Sequence, residues 1–167
     1  MVQLMWRFLC LIVILSGCLA HPGAQVMRST VTGLSGAVSD VAFVSDHPHH
    51  VVLARTMIVS GAGPPIYAIR LGRTYDGVHP GLRLTSAWAG GHELPYRAAR
   101  RATAFCIGRD CSAREIGKLF VTPNAFEALA RSGLSARLLG PDGAIDVRIP
   151  PELFAQSLRL AAAQQLD

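Results

Sequence analysis

Hydrophobic and polar positions follow two different periods along this chain, and the change from one to the other divides it. From residue 50 to residue 121 the period is close to two. His50 to Val59 is rich in β-branched residues and predicts a strand, stopped by Ser60-Gly61-Ala62-Gly63-Pro64-Pro65. Ile66 to Leu71 alternates, with Tyr67, Ile69 and Leu71 on one face. Leu82, Leu84, Ser86 and Trp88 repeat that alternation after turns at Tyr75-Asp76-Gly77 and His79-Pro80-Gly81. Gly90-Gly91 and Pro95 mark the next break, and Arg100 to Cys106 and Ile116 to Val121 read as further strands. Val26 to Val44 mixes small and β-branched residues with Gly33 and Gly36 and carries no assignable period.

In the last third the period lengthens to that of a helix. Thr122-Pro123 supplies a hydroxyl N-cap followed by proline at the first helical position, Phe126, Leu129 and Ala130 form an apolar face, and Ser132-Gly133 ends the segment. A hairpin follows: Ala136 to Leu139, the turn Gly140-Pro141-Asp142-Gly143, then Ile145, Val147 and Ile149 inward with Asp146 and Arg148 outward. Pro150-Pro151 opens a final helix whose Leu153, Phe154, Ser157, Leu158 and Ala161 share a face. Strands first and helices late predict an α+β domain, an antiparallel sheet with the C-terminal helices packed on one face. Trp88, Tyr67, Tyr75 and Phe105 are expected as core or half-buried sheet residues.

The N-terminus follows neither period. Arg7 precedes an apolar run from Phe8 to Leu15, too short to span a bilayer and of the length of a signal-peptide core. Leu15-Ser16-Gly17-Cys18 closes the run and resembles the lipobox of bacterial lipoproteins. The resemblance implies that Cys18 is diacylated on sulfur, becomes the first residue of the mature chain and is acylated on its new amine. It divides the chain into a signal peptide, 1–17, a lipidated tether, 18–26, and one globular domain, 27–167. Leu19, where retained lipoproteins carry aspartate, implies attachment at the periplasmic face of the outer membrane. Two alternatives stay open: an ordinary secretory peptide cut after Ala20 or Gln25, and an uncleaved anchor. The stretch from Tyr96 to Leu158 is similar in spacing to small uncharacterised secreted bacterial proteins, a resemblance that transfers no activity.

Of the four cysteines, Cys10 leaves with a cleaved signal and Cys18 carries lipid, so Cys106 and Cys111 remain as a pair. Their spacing suits a tight turn closed by a disulfide, as expected in an oxidising compartment. A Cys-x-x-Cys redox motif is lacking, and so are two further ligands at metal-site spacing. Half of the residues are apolar and 16% are charged, a globular composition. Losing Arg7 lowers the formal charge from +5 to +4, a mild positive balance that favours contact with anionic lipid. Lys118 is the lone lysine among arginines.

Candidate chemistry is sparse. Asp46-His47-Pro48-His49-His50 gathers three imidazoles, and histidine is the commonest ligand of zinc or copper, but a proline-centred solvated turn explains it equally. Ser60-Gly61-Ala62-Gly63 lacks the lysine and following helix of a phosphate loop. There is no Gly-x-Ser-x-Gly elbow, and His92-Glu93 lacks the second histidine of a zinc-protease helix. Arg97, Arg100 and Arg101 form either an anion-contact patch or a charged strand edge that discourages aggregation.

The sequence therefore predicts a lipid-anchored envelope module that binds and does not catalyse, without a cofactor. Its expected partners are the membrane, through the lipid, and an envelope protein or envelope component; nucleic acid is not expected. The alternatives are a small periplasmic hydrolase whose site is dispersed in sequence, and a metal-binding accessory protein using His47, His49 and His50. Replacing those three histidines with asparagine should shift stability by less than about 0.5 kcal/mol, as for solvated positions. Melting curves near neutral pH, with and without zinc, check this; a zinc-dependent rise in wild type that the triple variant lacks would favour the metal reading.

Overall fold

A computed structural model describes residues 23–45, 50–76, 84–98, 102–107 and 110–164 of the 167-residue chain. Twelve strands and two helices lie in these segments: β1 (Gln25–Arg28), β2 (Ser35–Val38), β3 (Ala42–Phe43), β4 (His50–Ser60), β5 (Ile66–Asp76), β6 (Ser86–Ala89), β7 (His92–Leu94), β8 (Tyr96–Ala98), β9 (Ala102–Ile107), β10 (Asp110–Val121), α1 (Pro123–Ser132), β11 (Leu134–Gly140), β12 (Gly143–Ile149) and α2 (Pro151–Gln164). All pairings are antiparallel, and the class is α+β.

Where the periodicity suggested a single sheet, the strands divide between two. The larger runs β1-β2-β4-β5-β10-β8, with β3 added to β4 and β9 to β10; the smaller runs β12-β11-β6-β7. The chain passes from the small sheet to the large one at Pro95, between β7 and β8. Proline has no N–H for a ladder, so it suits a place where pairing changes sheets, and its carbonyl accepts from Phe120 N at 2.9 Å. A second stitch, Arg148 N to Val44 O at 2.8 Å, joins β12 to the segment after β3.

Other expectations shift for related reasons. Val26 to Val44, without a readable period, forms β1 to β3, and β1 begins at Gln25, inside the segment expected to be tether. β5 runs on through Tyr75-Asp76, expected as a turn, and β10 reaches back to Asp110, well before Ile116. Each long strand supplies the other's hydrogen bonds, in continuous register from Val121 opposite Tyr67 to Ser112 opposite Asp76. Cross-strand pairing outweighs the polar composition of Arg73-Thr74 and Arg114-Glu115. Gly90-Gly91, expected only as a break, joins β6 to β7 in a hairpin, with φ of +56° and +80°. Positive φ at both turn positions is what a tight two-residue hairpin requires.

One core serves both sheets and both helices. Val52, Ala54 and Ile58 of β4, Ile69 and Leu71 of β5 and Leu119 of β10 meet Ala87, Leu138, Ile145 and Val147 of the small sheet and Phe154 of α2. The described strands and helices thus share one core. Phe126 stands edge-on to Tyr67 of β5, with ring centroids 5.3 Å apart, and to Phe154, at 5.1 Å. Such pairs add about 0.5–1.5 kcal/mol each beyond the area they bury.

The cap signals of α1 hold. Thr122 Oγ1 accepts from Ala125 N at 3.3 Å, and Gly133 ends the helix at φ +70°. A Cβ there would stand 2.7 Å from Ile149 O, so both backbone angle and space demand glycine. Helix α2 is keyed to β4 by polar groups inside the core. Thr56 Oγ1 donates to Leu153 O at 2.6 Å and lies 2.8 Å from Ser157 Oγ, which also donates to Thr56 O at 3.2 Å. Ser39 Oγ accepts from Thr56 N at 2.9 Å, and Ser39, Thr56 and Ser157 are all fully buried.

Thr56→Val keeps the shape and removes the hydroxyl, and should cost about 1–3 kcal/mol, the scale of a buried polar partner left unsatisfied. Urea unfolding of Thr56→Val, Ser157→Ala and the double variant checks the link. The double variant should lose less than the sum of the single losses; strict additivity would mean that the two hydroxyls act independently.

Candidate interaction surfaces

With the inner faces of both sheets closed on the core, the chemistry open to a partner lies on the outer faces. On the small sheet, register places Asp146 opposite Arg137, Arg137 opposite Trp88 and Trp88 opposite Glu93. Trp88, expected in or half in the core, is 39% exposed, because the residue of β6 that turns inward is Ala87. A shallow depression of about 420 Å³ lies here, lined by Trp88, Gly90, Ser135, Arg137, Asp146 and Arg148. Two of its charges are paired: Arg137 Nε and one terminal nitrogen donate to the two Asp146 oxygens, both at 2.8 Å. That hydrogen bond raises the Arg137 pKa and lowers that of Asp146. Both groups are fully in solvent, so the pair contributes to orientation more than to stability.

The outer face of the large sheet is built differently. Opposed residues of an antiparallel ladder share a face, and Arg55 opposes Arg70, Arg70 opposes Lys118, and Lys118 opposes Arg97. Four cations thus stand in one row across β4, β5, β10 and β8, spanning about 14 Å at the usual strand spacing. Arg70, Lys118 and Arg97 are exposed and Arg55 is half-buried. Burial first, then the charge of Arg70, push the Arg55 guanidinium below its ordinary pKa, and Asp40 acts against them. Arg97 also lies over the Phe120 ring, 5.8 Å from its centroid.

Apolar rows flank the cations on this same face. On one side Met57, Ala68 and Phe120 are aligned, and beyond them Met27, Gly36, Val59 and Ile66. On the other side Phe43, Leu53 and Gly72 are aligned. Phe43 is 75% exposed, Ile66 51% and Met27 47%.

The residues singled out from sequence fall in different places. Cys106 and Cys111 oppose one another directly in the ladder between β9 and β10. Cys18, His47, His49, His79, Arg100 and Arg101 lie outside the described residues, and His50 is the first residue of β4. Among the described residues no group of three or more His, Cys, Asp or Glu side chains is placed to hold a metal ion. Ser60-Gly61-Ala62-Gly63 forms the connection from β4 to β5. No described helix is long and apolar enough to cross a membrane.

Sequence reasoning named Arg97 but missed its partners in the row. Arg55, Arg70 and Lys118 are scattered over more than sixty positions, and only the register of four strands gathers them. The usable signal was one cation between inward-facing neighbours in each strand, as in Ile69-Arg70-Leu71 and Gly117-Lys118-Leu119, where a solvent-facing position would tolerate any polar residue. Compared with known protein families, curated proteins and solved structures, the chain has no match.

Proposed function

We propose that this protein is anchored in the bacterial envelope by lipid on Cys18, at the periplasmic face of the outer membrane, and that its domain acts by binding. The observation that supports a binding role is the outer face of the large sheet, where a cation row is flanked at one or two rows' distance by the exposed side chains of Phe43, Met27 and Ile66. A surface of that kind, spread over several strands, suits contact with an extended partner, whereas a small substrate needs a concave site with convergent polar groups. The depression on the small sheet offers an ion pair already satisfied internally. The anchor rests on the apolar run Phe8 to Leu15 and the Leu15-Ser16-Gly17-Cys18 motif. Two or three acyl chains would make that attachment lasting, where one would not.

Metabolic labelling with palmitate tests the anchor. The wild-type chain should incorporate label and sediment with membranes, and Cys18→Ser should do neither. An unlabelled wild type in the soluble fraction would overturn the assignment.

An oxidising compartment also brings a disulfide between Cys106 and Cys111 into the proposal. Directly opposed positions of an antiparallel ladder have Cα separations within the range that a disulfide spans. So short a closed loop gives about 2 kcal/mol by chain entropy, and Cys111→Ala should lower the melting temperature by several degrees without preventing folding. Mass spectrometry of the unreduced protein should find no alkylatable thiol at these positions; two free thiols would refute the bond.

A further inference from the structure

We infer that the outer face of the large sheet seats on an anionic lipid bilayer, with phosphate-bearing headgroups bound along the exposed cations Arg70, Lys118 and Arg97. Like charges directly opposite one another destabilise a sheet, and here the arrangement is repeated across three successive strand pairs. A layer of anions laid over the row neutralises Arg70, Lys118 and Arg97 together. The surface potential of an anionic leaflet supplies such a layer, at about 1 kcal/mol for each Lys or Arg near it.

The apolar rows decide which polyanion fits. Met27, Ile66 and Phe43 are exposed on either side of the cations, at the distance of one or two rows. Side chains of this kind gain by entering the boundary between headgroups and acyl chains, where cations beside them remain at the phosphate level. A solvated polyanion would leave them in water. A second copy of the chain is disfavoured as the occupant, because a two-fold contact through this face would set cation row against cation row.

The point of attachment agrees with this orientation. Gln25 of β1 stands in line with Val38 and Met57 on the same face. Six residues lie between it and Cys18, so the seven steps of the tether reach at most about 25 Å. This part of the inference rests on the proposed lipid anchor; the row and its flanks do not.

The test uses the chain from residue 19 onward, without lipid, since residues 23–164 hold every described strand and helix and the core that they share. Cosedimentation is measured with vesicles of phosphatidylcholine alone and of phosphatidylcholine mixed with phosphatidylglycerol. Wild type should bind the anionic vesicles in preference and release as salt rises. Arg70→Glu with Lys118→Glu should weaken that binding at least about thirtyfold, the factor for two cations on the scale above. Arg131→Glu with Arg159→Glu makes the same change in net charge on the helices and should bind as wild type does. Circular dichroism and melting confirm folding; should the row variant fail to fold, Arg97→Gln is read instead, with a loss of about fivefold. Equal binding to both vesicle types, no binding, an equal loss in the helix variant, or tighter binding to single-stranded DNA than to vesicles would each overturn the inference. Palmitate labelling is read separately: vesicle binding without label removes the anchor and keeps the face, and label without vesicle binding does the reverse.

Discussion

The rest of the structure depends on the closure of the large sheet's inner face. Val52, Ala54, Ile58, Ile69, Leu71 and Leu119 are buried there because the small sheet and both helices cover the same side. Hydrophobic burial drives that closure without specifying how α2 lies across β4. The specification comes from Thr56 and Ser157, whose hydroxyls satisfy one another and the adjacent backbone at zero exposure. A slide of the helix along the strand would strand two polar groups in an apolar core, so the register of α2 is held by the cost of the alternatives.

The same closure determines what is left for a partner. Every residue committed to the core takes its strand neighbours out of it, and on β4 those are Leu53, Arg55, Met57 and Val59. On its outer face the small sheet pairs Arg137 with Asp146. On the large sheet the neighbours of Arg70 along its row are instead the cations Arg55 and Lys118. This electrostatic contrast between two faces of one domain is the strongest functional feature that the described residues carry.

Helix α1, the β11–β12 hairpin and α2 were legible because their signals are local. Thr122-Pro123, Gly133, Asp142-Gly143 and Pro150-Pro151 each act within one turn, and Phe126, Ile145, Val147 and Phe154 all face inward as their spacing implied. The first half was read less well. Three short strands in Val26 to Val44 take their order from pairing with each other and with β4, and four-residue or shorter segments contain too few positions for a period to emerge. Trp88 was misplaced because alternation within β6 left two faces to choose between, and Ala87, packed against the small sheet's interior, took the inner one.

By itself the sequence determined the class of the fold, both ends of α1 and the start of α2, and the pairing of inward and outward residues in its C-terminal hairpin. These follow from propensities, caps and periods that operate over a few neighbouring residues. Only the tertiary structure decided that the strands form two sheets, that Cys106 faces Cys111 across a ladder, and that four cations from four strands stand side by side. Strand order and register are long-range pairings, set by which whole arrangement buries the most apolar surface with its hydrogen bonds complete, and no short window of the chain contains that comparison.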